Sequence, residues 1–259
     1  RIYKNNLTLL GKNPKTTVID SEGIGEVIFI TANNIHLSGF TIQNGYCGID
    51  LQYSTNNTLV GNKITNNWRG IYLGYSCNNI LIRNTIANNS EYGILASYSS
   101  SNLVYHNNFI NNTAQVYNEM SNSTWDNGYP SGGNYWNDYT GVDLYSGPYQ
   151  NETGSDGIGD NPCVIDDNNQ DRYPLMNPWL LGDLGGGLPP QFFKFDGKVD
   201  GIDLALFIQC YKKLAPPEAM YLGDLGGPVN YVPTFFAYDG KVNAYDLALF
   251  IQCYKGLGP

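Results

Sequence analysis

Through residues 33–122 apolar residues recur two positions apart in runs of three to five, and each run stops at Asn, Gly or Ser. Period-two runs this short predict strands joined by tight turns, not helices. The segments NNIHLSGFTIQNGYCGIDLQYS, NNTLVGNKITNNWRGIYLGYS, NNILIRNTIANNSEYGILASYS and SNLVYHNNFINNTAQVYNEMS align on second residues Asn34, Asn57, Asn79 and Asn102, a spacing of 22–23 residues. A fixed period of that length is the signature of a solenoid coil. Each coil is predicted to make three strands. Ile35, Leu37, Ile42, Ile49 and Leu51 fill the first interior, Thr58, Leu59, Val60, Ile64, Ile71 and Leu73 the next, and Ile80, Ile82, Ile86 and Ile94 the third. Stacked coils lie ~4.8 Å apart, so equivalent side chains form columns. The Asn residues suit the corners, where they tolerate left-handed backbone and hydrogen-bond the turn. The expected fold is mainly β, a parallel β-helix.

The second half follows another rule. FDGKVDGIDLALFIQCYK at 195–212 is written again, nearly verbatim, as YDGKVNAYDLALFIQCYK at 238–255. Leu204, Phe207, Ile208 and Tyr211 fall at i, i+3, i+4 and i+7, a helical stripe. The chain therefore divides into residues 1–178, closed by 132–178, and a smaller unit at 179–259 with repeats at 182–214 and 223–257.

Composition narrows the function. The chain has 259 residues, 42% hydrophobic, and a net charge of −9 with its acids dispersed. That excludes an electrostatic footprint for nucleic acid and makes cations the expected partners. No apolar run approaches the ~20 residues of a membrane span. RIYKNNLTLLGKNPK has neither an apolar leader core nor an initiator Met, so the chain is expected to be a processed or trimmed piece. Asn-x-Ser/Thr sequons begin at Asn6, Asn56, Asn88, Asn111, Asn122 and Asn151, which suit a glycosylated surface protein or arise by chance in a chain this rich in Asn, Ser and Thr. Cys210 and Cys253 occupy equivalent places in the two repeats, and either pair with each other or stand as two small buried thiols.

The coil repeat, together with GGNYWNDYTGVD at 132–143 and SDGIGDNPCVIDDNNQDRYPL at 155–175, resembles the NosD-like, pectin-lyase-like repeat proteins, especially secreted archaeal versions. The resemblance implies a right-handed parallel β-helix. It places the family's closing element after an insertion, LYSGPYQNETG, where Asp156, Asp160, Asp166, Asp167 and Asp171 either hold calcium through hard carboxylate oxygens or form solvated turns.

DGKVDGID at 196–203 and DGKVNAYD at 239–246 resemble the later part of a dockerin calcium loop, an EF-hand-like pattern followed by a helix. The resemblance implies a small α-helical module with calcium as cofactor. Asp196, Asp200 and Asp203 supply side-chain oxygens and Lys198 its carbonyl, with Asp239, Asn243, Asp246 and Lys241 in the same roles in the second copy, while Gly197 and Gly240 permit the turn. Both copies depart from the pattern by a hydrophobic insertion before the DG. Asp183 and Asp224 remain as first ligands, and Gly185 and Gly226 stand where a third-position ligand belongs. The alternative is a helix-entry turn with Asp203 and Asp246 as N-caps. The family's recognition pair maps to Gly201 and Ile202, and to Ala244 and Tyr245, implying a cohesin-like partner.

No catalytic constellation is visible. Asp50, Arg69, Arg83 and Glu91 are scattered over coil positions, and neither paired Asp acids nor a lyase-type Arg signature occurs. His36 and His106 are expected on exterior strand positions, and no Cys, Met and His cluster suits copper. Tyr53, Tyr75, Tyr98 and Trp68 recur near corners, either stacking on sugar rings or bracing the solenoid as a ladder. A β-helix end exposes unpaired strand edges, and no capping helix precedes the first coil, so upstream residues or another molecule, including a head-to-tail neighbour, are expected to cover it. Together these features predict an extracellular or cell-surface structural and assembly protein, self-associating or docked through the calcium module. The alternative is a polysaccharide-binding or polysaccharide-cleaving β-helix tethered by that module.

Overall fold

The computed structural model describes residues 1–180, 198–199, 203–204, 206–208, 212, 226–229, 232–235, 242 and 244–255. Five coils form the shaft. They are β1 (Thr8–Leu10), β2 (Val18–Asp20) and β3 (Glu26–Ile30); β4 (His36–Ser38), β5 (Thr41–Gln43) and β6 (Cys47–Gln52); β7 (Thr58–Val60), β8 (Lys63–Thr65) and β9 (Arg69–Gly74); β10 (Ile80–Ile82), β11 (Thr85–Ala87) and β12 (Tyr92–Ser97); β13 (Leu103–Tyr105), β14 (Asn108–Ile110) and β15 (Ala114–Glu119). First, second and third strands stack in parallel into sheets B, C and A respectively, and β16 (Tyr135–Trp136) adds a sixth strand to sheet C.

The registers build the interior. Leu9, Leu37, Leu59, Leu81 and Val104 run down sheet B, and Ile19, Ile42, Ile64, Ile86, Phe109 and Trp136 down sheet C. Ile28, Ile49, Ile71, Ile94 and Val116 run down sheet A, beside Ile30, Leu51, Leu73, Ala96 and Asn118. Most of these side chains are wholly buried, and each buried Ile or Leu contributes about 1.5–3 kcal/mol of transfer free energy. One expectation is corrected here. Leu81, not Ile80 and Ile82, faces the core of the fourth coil, and Ile80 is 36% exposed. Three consecutive apolar residues carry no period-two phase, so only the 22-residue step from Leu59 selects Leu81.

The corners follow a two-residue rule. A residue in left-handed backbone is followed by a buried Asn or Ser: Tyr53 (φ 49°) and Ser54, Asn56 (φ 57°) and Asn57, Gly61 (φ 62°) and Asn62, Asn66 (φ 56°) and Asn67. The same dyads recur at 75/76, 78/79, 83/84 and 88/89, and at 98/99, 101/102, 106/107 and 111/112. The buried member accepts a hydrogen bond from the main chain of the coil before and so links coils along the axis. One such ladder runs from Asn62 N to Asn84 Oδ1, Asn84 N to Asn107 Oδ1 and Asn107 N to Asn134 Oδ1, each 3.0 Å. Parallel ladders pass through Asn57, Asn79 and Asn102, through Asn67, Asn89 and Asn112, and through Ser54, Ser76, Ser99 and Ser121. In the inner coils the buried corner N–H groups are thereby satisfied by a side chain of the next coil.

The closing segment covers the far end of the core. Trp125 and Trp136 plug the interior, and the antiparallel pair β17 (Tyr145–Ser146) and β18 (Glu152–Thr153) lies in the insertion. The hairpin β19 (Cys163–Asp166) and β20 (Asn169–Asp171) packs Cys163 and Ile165 against the core cluster. Beyond the shaft, residues 203–204 and 206–208 are helical, as is Ala244–Tyr254. The second unit was expected to be α-helical, but part of the hydrophobic insertion pairs as the hairpin β21 (Gly226–Val229) and β22 (Val232–Phe235). Among the described residues no helix is long and apolar enough to cross a membrane.

Candidate functional site

Of the calcium-loop residues expected from sequence, Lys198, Asp203 and Asp246 can be placed. Asp183, Asp196, Asp200, Asp224, Asp239, Lys241 and Asn243 lie outside the described residues, as do Gly201 and Ile202 of the partner-binding set. Lys198 is exposed, whereas Asp203 and Asp246 are 2% and 0% exposed. Asp246 sits in the first turn of Ala244–Tyr254, inside the helix rather than capping it, where free N–H groups favour a carboxylate. Ala244 and Tyr245 open the same helix. Phe207 and Phe250, equivalent residues of the two repeats, stack with centroids 4.9 Å apart, and they share one apolar cluster with Leu206, Leu249, Cys253 and the shaft's Trp179. Cys253 is a free thiol, so the Cys210–Cys253 bridge is not formed.

The second acidic set is not a cluster. Asp156 accepts from Ile158 N and Gln150 Nε2, and Asp160 from Leu144 N and Tyr145 N. Asp166 accepts from Asn118 Nδ2, Asn168 N and Asn169 Nδ2, while Asp167 is exposed. Burial opposes the Asp166 charge, yet these hydrogen bonds hold its carboxyl below the usual range. Asp171 is wholly buried and ends the Asn ladder, taking N–H bonds from Asn134 (2.7 Å), Trp136 Nε1 (2.9 Å) and Tyr173 (3.1 Å). Burial pushes it up to about 7 against the pull of those donors. Among the described residues no three His, Cys, Asp or Glu side chains meet as a metal site. Four of the five carboxylates are taken up by separate sets of donors, and the fifth, Asp167, faces solvent.

The scattered charges of the coils resolve into structural contacts. Arg69 pairs with Glu91 on the next coil, and Trp68 Nε1 donates to the same carboxylate at 2.7 Å. Asp50 is 7% exposed on the outer face of sheet A, and burial, with Glu26 adding, pushes it up to about 6. Arg83 lies 4.9 Å from the Trp179 ring centroid, and His106 stacks on that ring at 6.2 Å. Lys15, Lys63, Arg83 and Trp179 line a groove of about 430 Å³ along the outer face of sheet C. His36 lies on β4 as expected, but His106 is wholly buried at a corner, not on an exterior strand. Its Nε2 donates to the Ser131 carbonyl at 2.7 Å, and burial, with Arg83 adding, lowers its pKa to about 3. The sequence carried one signal for it: position 106 repeats the corner of Gly61 and Arg83.

Tyr53, Tyr75 and Tyr98 stack face to face at 5.0 and 5.1 Å, nearly parallel. Tyr75 is thereby stacked on both faces, and Tyr53 and Tyr98 each on one. Sugar stacking needs free faces, so the geometry favours the bracing ladder. All six sequon Asn residues are exposed, four of them, Asn6, Asn56, Asn88 and Asn111, in left-handed corners.

A family model described as "Periplasmic copper-binding protein (NosD)" matches residues 15–141, just under half of the chain. No curated protein and no solved structure matches. Over those residues the chain is similar to that family, and the fold itself is a parallel β-solenoid. The described donors do not fit copper. Burial pushes the Cys47 thiol far up and Cys163 and Cys253 up to about 12, away from the thiolate a soft metal requires, and His106 is spent on Ser131.

Proposed function

We propose that this NosD-like chain is a non-catalytic structural protein of the cell exterior or periplasm, a rigid shaft joined through a calcium-binding, dockerin-like duplicated module to a cohesin-like protein. The observation that carries this reading is the meeting of the two repeats through the same residue, Phe207 on Phe250, with the equivalent carboxylates Asp203 and Asp246 both buried. A buried carboxylate needs a cation or a set of N–H donors, and a duplicated DGK loop in front of each supplies ligand oxygens for calcium. Four side-chain ladders cross-link successive coils, which suits a load-bearing spacer. Asp156, Asp160, Asp166 and Asp171 are committed to hydrogen-bond donors and Glu91 and Asp126 to Arg partners, which weakens the polysaccharide-cleaving alternative, and the stacking of the tyrosines weakens the sugar-binding one.

The test is calcium titration of the whole chain by calorimetry, with thermal unfolding in parallel. The expected result is two ions per chain, one lost in Asp203→Asn and one in Asp246→Asn, and a stabilisation that grows with calcium by mass action, about 2.7 kcal/mol at a hundredfold excess over Kd. No heat and no change in Tm would sink the module's calcium role. Bound calcium without capture of a cohesin domain would remove the partner class.

A further inference from the structure

The three outer faces of the shaft differ. Outward positions of sheet C run Val18, Thr41, Lys63, Thr85 and Asn108, most of them polar. On sheet B, Val60 points away from the interior yet is only 1% exposed, because it joins the apolar cluster of Phe207 and Phe250 in the second unit. Around sheet A the rings stay in solvent. Tyr46 and Trp68 stand at the corner where the chain enters that sheet, Tyr53, Tyr75 and Tyr98 at the corner where it leaves, and Tyr117 on β15 between them. Each is between 43% and 71% exposed, and together they are six of the nine exposed aromatic side chains among the described residues. Met120, 77% exposed and in the same left-handed backbone, takes the next place after Tyr98.

The size of this surface and its repeat point to an occupant. Rings about half exposed, with the methionine, leave roughly 700 Å² of largely aromatic surface on one face. That is more than the ~300–600 Å² of the largest patch on an ordinary monomer, and close to the ~800 Å² that each partner contributes to a stable interface. Tyr, Trp, Met and Arg are the residues enriched in such contacts. Arg69, whose guanidinium lies 5.5 Å from the Tyr46 ring centroid, is paired with Glu91, so covering it strands no lone cation. The exit rings step along the shaft at 5.0 and 5.1 Å, the pitch of the coils. A contact made at one coil recurs at the next only if the partner's side chains repeat at the same step. A second copy of this chain meets that condition, and a contact between like faces closes as a twofold dimer.

We propose that the outer face of sheet A packs on the same face of a second copy, burying Tyr46, Tyr53, Trp68, Tyr75, Tyr98 and Tyr117 between two shafts lying side by side. The contact needs no calcium and leaves the duplicated module to its own partner. Because it is isologous, each ring is buried twice and each substitution counts twice.

The experiment is sedimentation velocity of the whole chain in excess chelator, which silences the calcium module, over a wide range of protein concentrations and at about 0.1 and 1 M salt. A monomer–dimer equilibrium is expected that is no weaker at high salt, since apolar burial is not screened. Tyr75→Asn with Tyr98→Asn keeps residues suited to left-handed backbone, and Tyr117→Lys places a charge on the strand between the corners, so both variants should stay folded, checked by circular dichroism. Each should weaken the dimer on the order of a hundredfold or more. Val18→Lys, at a residue 50% exposed on sheet C, should leave the dimer unchanged. A monomer at every concentration overturns the proposal and leaves the face to a polysaccharide or an unrelated protein. So does a dimer that survives both sheet A variants, or one that Val18→Lys disrupts as strongly.

Discussion

Asn84 lies in the middle of the longest corner ladder and is wholly buried. Its Oδ1 accepts from Asn62 N (3.0 Å) and Asn62 Nδ2 (3.2 Å), and its Nδ2 donates to Leu59 O (2.9 Å) and Asn107 Oδ1 (3.0 Å). Asn84→Ala removes all four bonds and admits no water to replace them. Three of the stranded groups keep or find other partners in part, but the Asn62 N–H is a buried main-chain donor with none. A neutral hydrogen bond is worth about 1 kcal/mol net, and an orphaned buried donor adds about 1–3 kcal/mol, so the substitution should cost about 3–5 kcal/mol. The matched control is Asn66→Ala, the exposed left-handed member of a neighbouring dyad, which should cost only the ~1–2 kcal/mol of left-handed backbone on a Cβ residue. Urea unfolding followed by circular dichroism, comparing midpoints at unchanged m-value, measures both. Equal losses in the two variants, or a loss below about 1 kcal/mol for Asn84→Ala, would refute the idea that the ladders carry the corners.

Gly70→Ala should destabilise the shaft by about 3 kcal/mol, because its Cβ would lie 2.5 Å from the Gly93 carbonyl, whereas Gly74→Ala, which meets the movable end of Gln52, should cost far less; thermal unfolding separates them. His106 and Asp171 give opposite pH slopes. The unfolded imidazole binds a proton near pH 6.5 but the folded one only near 3, so stability is lost as pH falls through that window, while the folded Asp171 carboxyl keeps its proton up to about 7, so stability is lost as pH rises from about 4 to 7. His106→Asn, which retains a residue suited to left-handed backbone, should therefore leave a protein that weakens as pH rises from 4 to 7, and a flat or reversed curve from denaturant midpoints would contradict the assignment. Titration of the whole chain with Cu(I) against a competing chelator should show no tight site at Cys47, Cys163 or Cys253, since burial holds these thiols protonated; a stoichiometric complex lost on Cys47→Ser would overturn that.

The coil period was legible because it rests on spacing alone, and the columns of Ile and Leu follow from it without further information. What the spacing hid was the division of labour at corners. Asn56 and Asn57 look alike in sequence, yet one supplies left-handed backbone in solvent and the other a buried acceptor. The distinguishing signal lies within the chain itself. First members change freely from coil to coil, as in Gly61, Arg83 and His106, because any tolerated left-handed residue serves; second members stay Asn or Ser, because only a short side chain carrying an acceptor reaches the main chain of the coil before. Asp171 was unreadable for the opposite reason. It takes the next place in the Asn ladder after Asn134, but 37 residues later, where the period has broken, so its carboxylate resembled a calcium ligand until the fold showed three N–H groups converging on it. A position's chemistry could be read wherever the repeat placed it beside its copies, and not where the chain left the repeat to close the end.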